Sequence, residues 1–420
     1  MVLKIVILFA LLGLAKARTS PNADYAKEQI RSLPGSRYSA DVEEDASLDV
    51  PALIQKYGYP QETHNLITSD GYILEMHRIP HGRDNHNKPG DRPAVLVMHG
   101  LLSSSADFLV LGPGSALAYI LAEAGYDVWL GNARGNYYSR RHTSLNPDSF
   151  FNNDFWRFSW DTIGMIDCAA KIDYILERTG QKKIHYIGHS QGGTAFLALT
   201  STMPEYNDKL ISFQGLAPAS YFDNNEVSTY RDLAPMENSA AFLAGMAEIF
   251  PRDVSRQRAS RNYYCATGSV LTRMCRSSII SGAFDREYFN ETLIPLFQAH
   301  APAGASIRQV AHYGQTIRFN AFRRYNFNAL TNLSVYGRLN PPEFDLSKVT
   351  TPSYLHYGLS DQEVNFRDVE KLGGALANTV GLYKIERESF NHFDFIWARD
   401  VPELVYTTVL KCLKDAESKL

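Results

Sequence analysis

The stretch KIHYIGHSQGGTAFLAL, Lys183–Leu199, decides the fold. Ahead of Gly188 it is a short apolar run of the kind that forms a buried strand, and behind Gly192 it reads as a helix. A single serine, Ser190, stands at the change, with Gly188 and Gly192 two positions away on either side. Gly188-His189-Ser190-Gln191-Gly192 matches G-x-S-x-G, in which a sharp strand-to-helix turn lifts a serine hydroxyl above the edge of an α/β sheet. Three fixed positions in five recur by chance, so the motif alone is weak. The competing reading is an incidental serine in a glycine-rich turn. The strand before the turn and the helix after it count against that reading.

Working outward, AVLVMHG ends a fully buried strand at His99-Gly100, and YDVWLGNARGN is a second strand running into a loop. Trp156 to Arg178 has helical spacing and stops at Gly180, an ordinary C-terminal signal. LISFQGLAPAS, PSYLHYG and GLYKIERES give three further strands. HNLITSDGYILEMHRIP is a β-hairpin turning at Ser69-Asp70-Gly71. Strands alternating with helices predict a mostly parallel sheet with crossover helices. The alternation breaks between about Tyr221 and Leu339, where the pattern is helical, aromatic and free of clear strands. The expected organisation is a core of residues 51–219 and 340–420 with a helical cap or lid inserted at 220–339. Within it, SAAFLAGMAEIF is expected to be a helix facing either lipid or the core of the cap.

A serine hydroxyl is a poor nucleophile until a base takes its proton, and the base needs an orienting acid. In this architecture the partners follow in the order serine, acid, histidine. His392, in the loop after the last predicted strand, is the final histidine of the chain. Asp361, in the loop after the preceding strand, is the first choice of acid and Glu363 the reserve. Asp394 is expected to cap the C-terminal helix instead. The oxyanion of an attacked carbonyl needs backbone N–H donors. Gln191, after the nucleophile, and Leu101, after His99-Gly100, are the expected pair.

The N-terminus supports a secretory route. Lys4 precedes an uncharged apolar run, Ile5 to Ala15, followed by Ala15-Lys16-Ala17. The run is too short for the ~20 residues of a membrane span, and it reads as a signal peptide over residues 1–17. A polar leader at 18–50, open to processing, follows. The sequons at Asn290 and Asn332 suit a secreted glycoprotein destined for the extracellular space, a gut lumen or the lysosome. Cys265 and Cys275, close in sequence, are the expected disulfide, whose short loop would contribute on the order of 2–3 kcal/mol. Cys168 and Cys412 read as buried thiols, with a bridge between them left open. A net charge of −3 gives no support for a nucleic-acid partner. No H-E-x-x-H, C-x-x-C or P-loop is present, so no metal or cofactor is expected, and no obligate protein partner is evident.

HGLLSSSADF, GNARGNYYSRRH, GHSQGG, HYGLSDQEVNFRDVEKL and NHFDFIW, in this order, resemble the acid lipase family of α/β-hydrolases. That family includes gastric and lysosomal acid lipases and insect digestive lipases. The resemblance extends from YGYPQETHNLITSDGYILEMHRIP to the C-terminus. It implies Ser190 as nucleophile, Asp361 as acid, His392 as base, and Leu101 and Gln191 as oxyanion donors. It also implies a helical cap with a lid, and neutral lipid esters (triacylglycerols or sterol esters) met at a lipid–water interface. FNETLIPLFQAHAPAGAS is similar to a glycosylated cap segment of the family, and the close cysteine pair to a cap disulfide. The stretch from Tyr221 to about Arg261 departs most from the family pattern. A short-chain esterase, an acyltransferase and a non-catalytic lipid carrier on the same fold are the rival readings.

Overall fold

The computed structural model describes residues 42–149, 152–224, 247–250, 284–285 and 287–420. The signal peptide and the Cys265–Cys275 pair lie outside the described residues. Two short helices, α1 (Val42–Asp45) and α2 (Val50–Lys56), lead into the hairpin of β1 (Glu62–Ile67) and β2 (Tyr72–Ile79). Next come β3 (Ala94–Met98), α3 (Leu117–Glu123), β4 (Asp127–Gly131) and the short β5 (Arg141–His142). Helix α4 runs from Trp160–Thr162 through a π-helical turn at Ile163–Cys168 into Ala169–Thr179, and Gly180 ends it in the left-handed conformation. Then follow β6 (Ile184–His189), α5 (Gln191–Thr202) and β7 (Leu210–Leu216).

The segment after β7 holds β8 (Glu248–Ile249), α6 (Ile294–His300), β9 (Ala305–Ser306), α7 (Ile307–Phe319) and α8 (Ala329–Tyr336). The chain closes with β10 (Ser353–Tyr357), α9 (Phe366–Ala375), β11 (Thr379–Lys384), α10 (Asp394–Trp397) and α11 (Thr407–Glu417).

The main sheet has the order β1-β2-β4-β3-β6-β7-β10-β11, with β5 paired to β2. The strands from β4 to β11 along this order are parallel, and the hairpin joins them antiparallel through β2 and β4. Every residue of β3, β4, β6, β7 and β10 is buried; β3 is apolar throughout, and the others are mostly apolar with buried polar residues such as Asp127, His185, Gln214 and His356 among them. At the edge, β11 alternates half-buried and exposed positions. From β3 the chain adds β4 on one side and β6 on the other. The carboxyl ends of β3 and β6 therefore flank the point where strand order reverses, the place where open α/β sheets form sites.

An ion-pair network centred on a buried arginine ties a hairpin turn, a loop and a helix together. Arg134, 1% exposed and just after β4, reaches Asp167 on α4 (Nε–Oδ1 2.7 Å) and Asp70 in the hairpin turn (2.6 Å). Its guanidinium also lies 3.9 Å from the Tyr72 ring centre. Removing one partner of such a group would leave an uncompensated buried charge.

The structure departs from several expectations. The packed chain begins at or before Val42, because Val42, Ala46 and Val50 are buried, whereas polarity alone extended a leader to residue 50. The inserted segment is not free of strands: β8 and β9 pair antiparallel. That pairing takes the end of SAAFLAGMAEIF, so Glu248–Ile249 is extended rather than helical, and residues 239–246 lie outside the described residues. Asn332 is 1% exposed; its Nδ2 donates to Asn326 Oδ1 (2.7 Å) and the Leu339 carbonyl (2.8 Å), and its Oδ1 accepts from Phe327 N–H (3.1 Å). Asn290 is half-buried, and its Oδ1 accepts from Thr292 N–H at 3.2 Å. Cys168 and Cys412 are buried free thiols in separate apolar clusters, which excludes a bridge between them.

The elbow depends on backbone surfaces touching. A Cβ at Gly192 would lie 2.2 Å from the Met98 carbonyl oxygen, whereas one at Gly374 on α9 would meet nothing within 4 Å. Gly192→Ala is therefore expected to cost ~2 kcal/mol or more and Gly374→Ala to be neutral or mildly stabilising. Urea unfolding midpoints of the two variants check the contrast.

Candidate active site

Ser190 has φ 51° and ψ −115°, a conformation that L-residues adopt at a cost of ~1–3 kcal/mol. The neighbouring backbone enforces it. Gly188 approaches Gly192 so closely that a Cβ would sit 2.5 Å from the Gly192 carbonyl carbon. Ser190 N–H donates to the Leu216 carbonyl at 3.0 Å, and its own carbonyl accepts from Gly193 at 2.9 Å to start α5. His189 and Gln191 are buried while Ser190 is partly exposed, so the turn presents one side chain.

Asp361 and His392 meet at the carboxyl ends of β10 and β11. His392 Nδ1 donates to Asp361 Oδ2 at 2.9 Å, which leaves the lone pair on Nε2. Asp361 Oδ1 accepts from the N–H groups of Glu363 (2.9 Å) and Val364 (2.8 Å), fixing the carboxylate in its own loop. Burial works against the imidazolium of His392. The Asp361 carboxylate outweighs it, aided by Glu363, and the pKa is raised above the ordinary 6.5. Ser190, His392 and Leu101 line one cavity, together with Gly100, Ala219, Phe222, Tyr313, Val364 and Phe393.

The loop after β3 reaches this cavity because the chain touches itself there: a Cβ at Gly100 would be 3.3 Å from Ser190 Cβ. His99 sets the loop. Its Nε2 accepts from Ala133 N–H (3.1 Å) and Asn136 Nδ2 (3.2 Å), so Nδ1 carries the proton and donates to the Gly100 carbonyl at 2.8 Å. Burial first, and Lys171 after it, push His99 down to about 4, which keeps this tautomer neutral. Gln191 is the first residue of α5, so its N–H belongs to the turn that has no intrahelical acceptor. Such N–H groups next to a partly exposed hydroxyl can stabilise an oxyanion.

Several participants escaped the sequence reading. His189 Nε2 donates to the His392 carbonyl at 3.1 Å, joining the elbow to the histidine loop. Gln191 Nε2 donates to Gln309 Oε1 on α7 at 2.7 Å. Asp107 also lines the cavity and takes a hydrogen bond from Ser103 Oγ; burial pushes its carboxyl up to about 7. A buried acid beside a run of serines was the available signal. Glu363, the reserve acid, lines the cavity, but Asp361 bonds to His392. Asp394 does not cap α11. It pairs with Arg387 (2.7 Å) and accepts from Asn391 N–H (2.9 Å), bracing the turn that carries His392. Among the described residues no group of three or more His, Cys, Asp or Glu side chains is arranged to hold a metal ion.

Comparison with known proteins agrees with this architecture. The family model described as "alpha/beta hydrolase fold" matches residues 93–398, and "Partial alpha/beta-hydrolase lipase region" matches residues 50–112. Lipase 1 of Drosophila melanogaster is 40% identical over 89% of this chain and 81% of the fly protein. The gastric triacylglycerol lipase of Homo sapiens is 33% identical over 88% of this chain and 92% of its own length. A monoglyceride lipase structure from Saccharomyces cerevisiae superposes with a TM-score of 0.51 at 15% identity, covering 85% of this chain and 95% of that one; at that identity it supports the fold alone. With the fold, the placement of its loops and relatives of this similarity in agreement, the chain belongs to the acid lipase family of α/β-hydrolases and is a carboxylic ester hydrolase of the lipase type.

Proposed function

We propose that the chain hydrolyses neutral lipid esters, triacylglycerols or sterol esters, through Ser190, His392 and Asp361. The observation that carries this reading is the 2.9 Å bond from His392 Nδ1 to Asp361, beside a strained and partly exposed Ser190 on the same cavity. His392 Nε2 takes the Ser190 proton as Oγ attacks the ester carbonyl. The N–H groups of Leu101 and Gln191 hold the oxyanion, and the protonated His392 then gives its proton to the leaving alcohol. Water, deprotonated by the same imidazole, attacks the acyl-enzyme and releases the fatty acid. Leu101, Phe222, Tyr313, Val364 and Phe393 give the cavity the apolar wall an acyl chain requires. Residues 220–339 act as the cap over it, and the N-terminal signal delivers the protein to the secretory pathway. No helix among the described residues is long and apolar enough to cross a membrane.

An organophosphonate carrying a long alkyl chain is expected to label Ser190 covalently, with mass spectrometry locating the adduct. Ser190→Ala should lose labelling and at least ~10³-fold in turnover of a long-chain ester while its unfolding midpoint stays unchanged. A folded parent that is not labelled would favour a non-catalytic carrier. Turnover of short esters only would favour an esterase, and transfer to an added alcohol in preference to water an acyltransferase.

The pH dependence follows from His392. It must be neutral to accept a proton, and its pKa is raised, so kcat/KM is expected to fall on acidification through a value above 6.5. Glu363→Gln removes a negative charge that favours the imidazolium and should move this acid limb downward. A pH–rate profile on a soluble ester checks both the position of the limb and the direction of its shift.

A further inference from the structure

From Thr292 to Pro342 the chain contains no aspartate or glutamate, and its charged side chains are Arg308, Arg318, Arg323, Arg324 and Arg338. The chain as a whole is acidic, with a net charge of −3. Inside this basic tract α8 turns apolar side chains to solvent. Leu330 is 80% exposed, Leu333 one turn later 48%, and Val335 and Leu339 53% and 56%. Single exposed leucines are ordinary; a cluster on one short ordered element marks an interaction surface.

The element is firmly held. Asn328 Oδ1 caps α8 by accepting from Thr331 N–H at 2.9 Å, and Gly337 ends it in the left-handed conformation. Asn332, buried beneath the helix, grips the Leu339 carbonyl at 2.8 Å, and Tyr336 Oη donates to the Tyr325 carbonyl at 2.8 Å. Gln315 on α7 makes two bonds to the Asn326 backbone, at 2.9 and 2.8 Å, and the same helix places Tyr313 on the catalytic cavity. Arg318 and Arg338 are exposed. Arg324 is engaged by Asp161 at 2.9 Å, and Arg323, whose backbone pairs with that of Glu343 in an isolated antiparallel β-bridge, lays its guanidinium over the Phe319 ring.

We propose that α8 and its exit through Leu339 form a docking surface for an anionic lipid–water interface, separate from the catalytic cavity. Leu330, Leu333, Val335 and Leu339 enter the apolar layer while Arg318 and Arg338 meet the negative headgroups. The assignment rests on the lipase reading, which requires the chain to work on a lipid phase. Apolar side chains beside arginines, without acids, are the chemistry of an element that lies in such an interface.

The test is flotation of the full chain with phosphatidylcholine vesicles, with and without phosphatidylglycerol, for the parent, the double variant Leu330→Gln/Leu333→Gln, and Arg338→Gln. The parent should bind the anionic vesicles about tenfold more tightly than the neutral ones, with added salt narrowing the gap. The double variant should lose about tenfold or more on the anionic vesicles, while turnover of a soluble short-chain ester stays at the parental level. Arg338→Gln should reduce the anionic preference alone. Equal binding of the double variant and the parent would overturn the proposal, as would equal binding to the two vesicle types. So would a parent dimer that the double variant abolishes, since a second copy would then cover α8. Flotation reads binding without turnover, so a failure of the lipase reading shows itself separately, as a parent that binds vesicles and hydrolyses no ester.

Discussion

The backbone of Ser190 is where the molecule holds its strain, and the surrounding structure exists to keep it there. A residue at φ 51° and ψ −115° relaxes unless its neighbours leave it nowhere to go. Here α5 is pressed onto the end of β3 through Gly192 and Met98, and onto β6 through Gly188. A helix that could slide outward by an ångström would release the turn. The same contact draws the loop after β3 against the serine, so one packing constraint creates the exposed hydroxyl and brings up the loop beside it. The strained turn and the adjacent loop are thus consequences of how closely two backbones approach.

Charge is handled in two ways within this frame. Arg134 keeps its charge under nearly complete burial because Asp70 and Asp167 share it, and their spacing fixes hairpin, loop and helix together. Asp107 has a hydroxyl for company, and burial lifts its carboxyl to about 7. The first arrangement is structural. The second places a group that changes charge near neutrality on the wall of the cavity.

The sheet and the elbow were legible in the sequence for a physical reason. Strands buried on both faces are predominantly apolar, and a turn that tolerates no Cβ at two positions must spell glycine there. Asp361 and His392 could be placed because chain order and strand ends leave few choices. His189 and Gln309 were hidden because their contacts join segments far apart in sequence, and a single histidine or glutamine carries no periodicity. The packing already present at Val42 was missed because a few apolar residues in a polar stretch set up no period. The short β8–β9 pair was missed because two residues cannot show alternation. The Asn332 sequon is legible as a local pattern, whereas the burial of its amide is a property of the tertiary fold.

The hydrogen bond between Gln191 and Gln309 joins the first residue of α5 to a helix of the inserted segment. Gln309 thus holds the side chain next to Ser190 from a helix 118 residues further along the chain. A substitution that shifts α7 therefore acts on the elbow without touching it.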